Sequence, residues 1–549
     1  MRRIGSTVLA VGVLLGGVFV APAAAAPWPP EALKTLRHLA IQHNGRLKPV
    51  DSFAREVFAL MTGRATPEGR DPVEALLALV TEPEGWQNRP VIAVPYGPLR
   101  EPLGLGPKET HISYDQLLET KALMRRLPPI VQKQQRDEDL SILENETMDV
   151  YNRFVTFSAL VEHQLALVPP ASAGDPVWTT VSAPSGYAEA QRQEIQGAWR
   201  GLILTARQRG AGEATAAVDE LAQILRGLNP TAYPARWRMQ MEVLYNRARP
   251  FAAARLLYLL AGVWLLMSTL RRGHRGFRAG MACLSAAFVW HALGIAARVV
   301  LGGRPPVSNF YETMLWIPFV AVLLALIFER LYRAGYFGAA AGLLSAVVLL
   351  LADALPLDSS IAPVVAVLRS TLWLTIHVLT IVASYGAIAL AVVLAHLYAI
   401  VYLGTRRPRV LKRLGLFMYR AIQVGVVLLA SGIILGGVWA NASWGRYWGW
   451  DPKETWALIT LLWFIALLHG RFAGWMRGIG VALMTIGGFF LLLMTYYGVS
   501  FYLVGLHSYA GGHAKPLPPL LIGYLIAECA FLAVVGLVAL RRHRSRLPI

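Results

Sequence analysis

Hydrophobic positions divide the chain near residue 250. Beyond that point apolar runs follow one another, and each is close to the ~20 residues that cross ~30 Å of hydrocarbon. Because backbone groups in lipid must form their hydrogen bonds within the protein, these runs predict helices. The runs lie near residues 252–270, 279–301, 312–330, 337–354, 371–403, 417–438, 454–469 (a short one), 478–500 and 518–540.

The first half of the chain has a different pattern. Residues 27–250 are charged and lack any membrane-length apolar run, and apolar residues recur at helical spacing over 191–207 and 215–228. The sequence therefore predicts an all-α fold. Residues 251–549 form a polytopic membrane bundle of about nine transmembrane helices, and residues 27–250 form an N-terminal, mostly helical extracytoplasmic domain.

The N-terminus carries Arg2 and Arg3, a short apolar run and an alanine-rich stretch that ends before Pro27. This is the layout of a cleaved secretory signal peptide, here residues 1–26. An uncleaved anchor helix is the alternative, and either would send the following domain across the membrane. In that domain the stretch HNGRLKPVDSFAREVF (43–58) has no metal-site or nucleophile spacing, so its residues are expected to be structural.

Basic residues in the membrane half cluster in loops, and every cluster follows an odd-numbered helix. The clusters are Arg271, Arg272, Arg275 and Arg278; Arg330 and Arg333; Arg406, Arg407, Arg409, Lys412 and Arg413; Arg471 and Arg477; and Arg541, Arg542, Arg544 and Arg546. Since positively charged loops stay in the cytoplasm, the C-terminus is predicted to be cytoplasmic. The N-terminal domain and the loop at 438–455 are then extracytoplasmic, and the protein is a multi-pass protein of the inner (cytoplasmic) membrane.

Composition agrees with a membrane protein and narrows its chemistry. Hydrophobic residues make up 55% of the chain and charged residues 15%, where soluble domains are about a quarter charged. The net charge of +19 would suit nucleic acid, but the basic residues lie in topology-setting loops and form no binding face. Cys283 and Cys529 lie in apolar runs outside any CxxC, so the sequence offers no thiol-exchange or cysteine–zinc site.

Five tryptophans lie between residues 439 and 456, in the outer segment after the sixth predicted helix and at the start of the seventh, together with glycines and Asp-Pro-Lys-Glu (451–454). They are Trp439, Trp444, Trp448, Trp450 and Trp456. An interfacial aromatic belt is the ordinary explanation, but a belt spreads one or two aromatics per helix end. Glycines permit close backbone approach and indoles offer flat apolar faces. The segment is therefore predicted to bind a large planar apolar ligand.

Histidines are the second candidate group. His291, His377 and His469 lie in predicted helices, and His507 and His513 lie outside them. Any one of them alone would be explained as a hydrogen-bonded core residue, but ionisable residues inside a membrane are costly and suggest function. His377 is six residues into the fifth helix, ~9 Å from its outer end. It therefore lies at the same level as His507, and the pair could ligate one heme iron from opposite faces.

Three motifs resemble one known family. WGRYWGWDPKETW resembles the tryptophan-rich WWD signature of the heme-handling proteins of cytochrome c biogenesis. PPVSNFYETMLW (305–316) and YYGVSFYLVGLHSYAGG (496–512) are similar to the CcsA/ResC branch of that family. The resemblance covers about residues 280–540, and the three motifs stand in the expected order.

The resemblance implies transfer of heme b to the outer face and its attachment to apocytochrome c CxxCH motifs, as part of a cytochrome c synthase. In the family two histidines flanking the WWD segment ligate the external heme, and His377 and His507 occupy those positions. His469 matches the histidine of an inner, transmembrane heme site. That site's second ligand lies in a ResB-like portion not recognisable here, so a separate ResB-like subunit or His291 is expected to supply it. With no CxxC in the chain, a thiol reductant must be supplied separately.

Glu312, Asp451, Lys453 and Glu454 are expected to be charges of the outer surface. Ordinary helix capping explains Asp451 and Glu454. The functional alternative has these charges and Arg304 or Arg446 contacting the heme propionates, and it counts Asp451 among the heme-binding residues. Two other functions stay open at this point: a heme or small-molecule transporter without ligation, and a non-catalytic assembly scaffold. Deleting residues 27–250 would distinguish a scaffold from the other functions, because a scaffold would then lose partner binding but keep its heme.

Overall fold

The structure is a computed structural model that describes residues 28–544 apart from 137, 173, 175, 209–210, 272–273, 356, 364–371 and 508–517. The predicted signal peptide and His513 lie outside the described residues. The chain forms two compact units. One comprises Met1–Leu123 with Asp149–Val243, and the other comprises Met124–Met148 with Leu244–Ile549.

The described residues up to position 250 are mostly helical. Their helices are α1 (Pro30–Arg37), α2 (Val50–Thr62), α3 (Pro72–Thr81), α4 (Glu84–Gln87), α5 (Gly97–Arg100), α6 (Tyr114–Thr120), α7 (Ala122–Gln135), α8 (Ile142–Val161), α9 (Glu189–Gln208), α10 (Ala211–Leu228) and α11 (Arg236–Ala248). Helices α9 and α10 cover the two segments in which helical spacing was noted. Two short antiparallel strand pairs accompany the helices, β1 (Ala40–His43) with β2 (Arg46–Pro49) and β3 (Pro90–Ala93) with β4 (His111–Ser113).

The stretch 43–58 forms the β1–β2 turn, β2 and the start of α2. Asn44 and Gly45 both have positive φ, as a two-residue hairpin turn requires. Its charges are paired inside the first unit. Asp51 accepts a hydrogen bond of 2.7 Å from Arg37, and Arg46 donates bonds of 2.7 and 2.6 Å to Glu242. Within the described part of the chain no group of three or more His, Cys, Asp or Glu side chains could hold a metal ion.

The rest of the chain is a helical bundle. Its helices are α12 (Pro250–Arg271), α13 (His274–Gly302), α14 (Phe310–Tyr332), α15 (Tyr336–Ala354), α16 (Leu372–Leu403), α17 (Pro408–Trp444), α18 (Pro452–Phe472), α19 (Ile479–Leu493), α20 (Val499–Tyr502) and α21 (Pro519–Arg544). A π-helical turn at Met494–Gly498 joins α19 to α20, so that Ile479–Tyr502 is one span. The described residues contain nine helical spans long and apolar enough to cross a membrane. The predicted all-α membrane bundle is confirmed.

Helix α16 is the most buried span and packs against α14, α15, α17 and α19. Its contact with α17 depends on glycine. A Cβ at Gly425 would lie 2.7 Å from Ile388, and one at Gly432 would lie 2.8 Å from Ile381. Small residues let helix backbones approach closely where lipid provides no hydrophobic driving force between helices. This close approach brings the α17 backbone to the side chains of α16.

Helix α17 is longer than its apolar run predicts. It continues to Trp444 and ends at Gly445, which adopts the left-handed conformation (φ 71°) common just after a helix. Helix α18 then begins at Pro452. Of the predicted loop at 438–455, only residues 445–451 are outside helices.

Candidate functional site

His377 projects from the first turns of α16 against α17. Its Nδ1 lies 2.7 Å from the backbone carbonyl oxygen of Gly432. A carbonyl oxygen can only accept a hydrogen bond, so Nδ1 carries the proton and donates it. In the neutral ring Nε2 is then the unprotonated nitrogen, the form that binds a metal.

His507 is held in the same way by a carboxylate. Its Nδ1 lies 2.9 Å from Oδ1 of Asp451, the residue that caps the N-terminus of α18. Asp451 also accepts hydrogen bonds from the backbone N–H groups of Lys453 (2.9 Å) and Leu506 (2.6 Å). With Nδ1 donating to this oxygen, Nε2 of His507 is also the free nitrogen. Carboxylates in this position orient a metal-binding imidazole and raise its basicity.

The charge on Asp451 is stabilised by these donors. Burial favours the neutral form, but the hydrogen bonds from His507, Lys453 and Leu506 outweigh it and lower the pKa of Asp451 below its usual value. Asp451 and Glu454 form a capping box, in which Glu454 accepts from the Asp451 backbone N–H (3.2 Å). The predicted helix cap is therefore present, and the same carboxylate also fixes His507.

Trp439 connects the two histidines. Its ring centroid lies 6.3 Å from that of His377, with the rings nearly parallel at 7°, and 5.9 Å from that of His507. Trp444 packs edge-on against Trp439 at 4.7 Å and lies 5.8 Å from His507. Trp439 is only 4% exposed. Two indoles and two imidazoles with free Nε2 atoms thus form one aromatic cluster.

The other three tryptophans have different surroundings. Trp448 and Trp450 pack perpendicular to each other at 5.8 Å, and Trp450 is 71% exposed. Trp456 is half-buried in α18, where its carbonyl oxygen accepts from the hydroxyls of Thr460 and Thr495. Among the described residues no ring contact joins these three indoles to either histidine. The five-indole segment therefore divides into an inner pair beside the histidines and an outer group.

The structure does not bring His291 and His469 together. His291 is fully buried, bonded to the Tyr258 hydroxyl at 3.1 Å and surrounded by Phe251 and Phe319. It lies ~16 Å from the end of α13 at Gly302, whereas His469 lies ~5 Å from the end of α18. On the predicted topology these helix ends are on opposite sides of the membrane. His469 is exposed, and its Nδ1 bonds the Ile465 carbonyl within α18.

Glu312 was expected on the surface, but its side chain is buried, with 1% exposure for the residue. It accepts hydrogen bonds from Arg298 (3.0 Å) and Arg304 (2.6 Å), and Arg298 also donates to the carbonyl oxygens of Ser359 and Ser360. This pairing was not predicted, because Arg298 lies inside an apolar run. Arg446, by contrast, is exposed.

The hydrogen-bond partners of His377 and Lys453 were also not predicted from the sequence. A backbone carbonyl such as that of Gly432 carries no sequence signal, since every residue has one. Lys453 points into the bundle and donates to Ser500 (2.7 Å) and to the Tyr496 carbonyl (3.2 Å). The π-helical turn that presents this carbonyl has no periodicity by which it could be recognised.

The fold and this cluster define a multi-pass membrane protein with a histidine-flanked tryptophan site beside the N-terminus of α18. The family model described as "Cytochrome C assembly protein" matches residues 307–507, which include both histidines and all five tryptophans. A cytochrome c biogenesis protein CcsA of Prochlorococcus marinus subsp. pastoris is 32% identical over 253 residues, 40% of this chain and 79% of that protein. The chain belongs to the CcsA family of cytochrome c biogenesis proteins.

Similarity also extends into the N-terminal half. Protein NrfI of Wolinella succinogenes is 30% identical over 499 residues, which are 86% of this chain and 54% of NrfI. The chain thus spans about half the length of that relative. The solved structure of the cytochrome c heme lyase CcmF aligns with 54% of this chain and 51% of its own, at 17% identity and a TM-score of 0.38.

Proposed function

We propose that the chain carries heme b to the outer membrane face and takes part in its covalent attachment to CxxCH motifs of apocytochrome c. One observation supports this most strongly: His377 and His507 contact the same indole, and each donates its Nδ1 proton to a fixed acceptor. Neutral imidazoles with free Nε2 atoms are the usual axial ligands of heme iron. Heme is the substrate here, so the site must hold it and then release it.

The protein's part in attachment is positioning. His377 and His507 hold the iron, and Trp439 and Trp444 contact the macrocycle through their apolar faces. The histidine of a CxxCH motif replaces one of the two ligands, which brings the substrate thiols to the vinyl groups. Each S–H then adds across one vinyl C=C bond, sulfur to one carbon and hydrogen to the other, so no oxidant is needed and no group leaves. Orientation of this kind supplies a large part of a rate enhancement.

The proposed arrangement in the cell follows the charge pattern. The protein lies in the inner (cytoplasmic) membrane, with the N-terminal domain and the tryptophan segment outside and the C-terminus in the cytoplasm. His469, exposed near the cytoplasmic end of α18, is proposed to ligate an inner heme together with a residue of a ResB-like subunit. The burial of His291 and its distance from that end favour the separate subunit as source of the second ligand.

An absorption spectrum of the detergent-purified protein, oxidised and dithionite-reduced, tests the proposal. We expect a Soret band and low-spin α/β bands in the wild type. These should be lost in His377→Gly/His507→Gly and restored by added imidazole. Residual heme that disappears with His469→Gly would identify the inner site. Wild-type protein from heme-replete cells that carries no heme, and binds none when supplied, would contradict the proposal and favour a scaffold.

Gly436 provides a test of the His377 geometry in which neither proposed ligand residue is substituted. A Cβ at this position would lie 2.6 Å from Cε1 and 2.9 Å from Nδ1 of His377, so Gly436→Ala must turn the ring and break its bond to Gly432. Overpacking of this kind costs about 1–3 kcal/mol, so bound heme should fall about fivefold or more. Gly536→Ala in α21, where a Cβ meets nothing within 4 Å, is the control. Equal heme content in both variants would contradict the proposed role of His377.

A further inference from the structure

Three segments of α14, α18 and the α19–α20 span meet at Tyr496. The Tyr496 ring stacks on Phe310 at 4.6 Å, and its hydroxyl lies 2.8 Å from Oγ1 of Thr313. From α18, the Lys453 ammonium reaches the Tyr496 carbonyl oxygen at 3.2 Å and Ser500 Oγ at 2.7 Å. The three sequence motifs noted above thus make direct contact with one another at one residue.

Tyr496 lies in the π-helical turn Met494–Gly498. Such a turn widens the helix by one residue and shifts its hydrogen-bond pattern, and it is frequent at functional sites. Its polar groups bond to Lys453 and the Trp456 carbonyl of α18 and to Ser500 of α20. Thr495 donates to the Trp456 carbonyl at 2.9 Å and lies 2.8 Å from the Thr460 hydroxyl. Ser500 donates to the Tyr496 carbonyl at 2.8 Å. The unusual turn is therefore held by α18.

The chain from this turn leads directly to His507. After the turn come the single helical turn of α20 and a short loop, and His507 is then bound by Asp451 at the start of α18. The first turn of α18 thus holds the segment at two points, through Lys453 at its beginning and through Asp451 at its end. A one-residue change of register in the turn would rotate everything after it by about 100°.

We infer that Lys453 is a positioning residue for His507: by binding the π-helical turn it fixes the register of the segment that presents the imidazole. This inference rests on the proposed heme function and assigns a role to a residue that does not ligate iron. Its ammonium is directed into the bundle, onto Ser500 and the Tyr496 carbonyl. An alternative role, direct contact with a heme carboxylate, is distinguished by the experiment.

Lys453→Met tests the inference through its dependence on His507. Heme content and reduced spectra are compared for Lys453→Met, His507→Gly and the double variant. We expect Lys453→Met to retain about tenfold less heme, to lose the low-spin bands and to regain them with imidazole. Because Lys453 acts through His507, the double variant should hold no less heme than His507→Gly alone. Lys412→Met, the same change at an exposed lysine of α17, should match the wild type.

If the wild-type protein carries heme, either of two results would overturn the inference. One is a wild-type spectrum in Lys453→Met. The other is a clear further loss of heme in the double variant, as direct contact with heme would give. If Lys453→Met does not yield folded protein, Ser500→Ala removes one acceptor of the ammonium and should produce the same imidazole-rescued change to a smaller extent. Wild-type protein without heme would instead overturn the proposed function itself.

Discussion

Glu312→Ala is expected to lower the unfolding midpoint of the detergent-solubilised protein by on the order of 10 °C. The side chains of Arg298 and Glu312 are each only 2% exposed, and that of Arg304 is 8% exposed. Removing the carboxylate leaves two guanidinium groups buried without their anion. Breaking a buried ion pair in this way costs about 3–5 kcal/mol, and each kcal/mol shifts the midpoint by a few degrees. Tryptophan fluorescence during heating, followed by size-exclusion chromatography, measures the change.

A surface pair supplies the control for this prediction. Glu31 and Lys34 form an ion pair whose side chains are 73% and 68% exposed. Such pairs are worth about 0–1 kcal/mol, so Glu31→Ala should leave the midpoint almost unchanged. Combining Glu312→Ala with Arg298→Met removes one of the two unpaired charges and should cost less than the two single changes added together. Additive losses would show that Glu312 is not stabilised mainly through Arg298.

The membrane helices were predictable because the signal they leave is simple. A span needs about twenty apolar residues, and lipid allows no other backbone arrangement than a helix for such a run. The end of α17 was not predictable from hydropathy, because the helix continues past the apolar run to Trp444 until Gly445 allows it to stop. The short β1–β2 hairpin was missed as well, although Asn44-Gly45 is a strong turn signal.

The sequence predicted which residue types form the candidate site and how deep in the membrane they lie, but not the hydrogen bonds that orient them. His377 lies in the fifth apolar run and His507 follows the eighth, so both histidines were predicted near the outer membrane surface. Their common neighbour Trp439 depends on the packing of α16 against α17, which pattern and spacing do not encode. The buried Arg298–Glu312 pair was missed for a related reason, since a single charge in an apolar run does not reveal its partner. Asp451 was predicted as a cap, and its bond to His507 needed the tertiary structure.

Asp451→Asn is expected to weaken heme binding by roughly 10–100-fold while leaving α18 in place. Asparagine caps helices about as well as aspartate, so the bond from the Lys453 backbone N–H should persist. The charge that faces His507 is lost, and with it the electrostatic support for the imidazole Nδ1–H donor. One of the two oxygens becomes an NH₂ group, which cannot accept a hydrogen bond. The asparagine side chain can therefore no longer accept from both His507 and Leu506 through separate oxygens, as the carboxylate does.

The measurement is the rate at which reduced, purified protein loses heme to an excess of a heme-scavenging apoprotein. Asp451→Asn should lose heme faster, and added imidazole should slow the loss because it replaces the weakened ligand. Asp358→Asn is a matched control, since Asp358 is exposed and its carboxylate accepts a hydrogen bond from the Ser360 backbone N–H at 2.9 Å. If Asp451→Asn and Asp358→Asn release heme at the wild-type rate, the carboxylate contributes only the helix cap. Faster release in Asp451→Asn alone would mean that one side chain both starts α18 and orients the ligand that the substrate histidine must compete with.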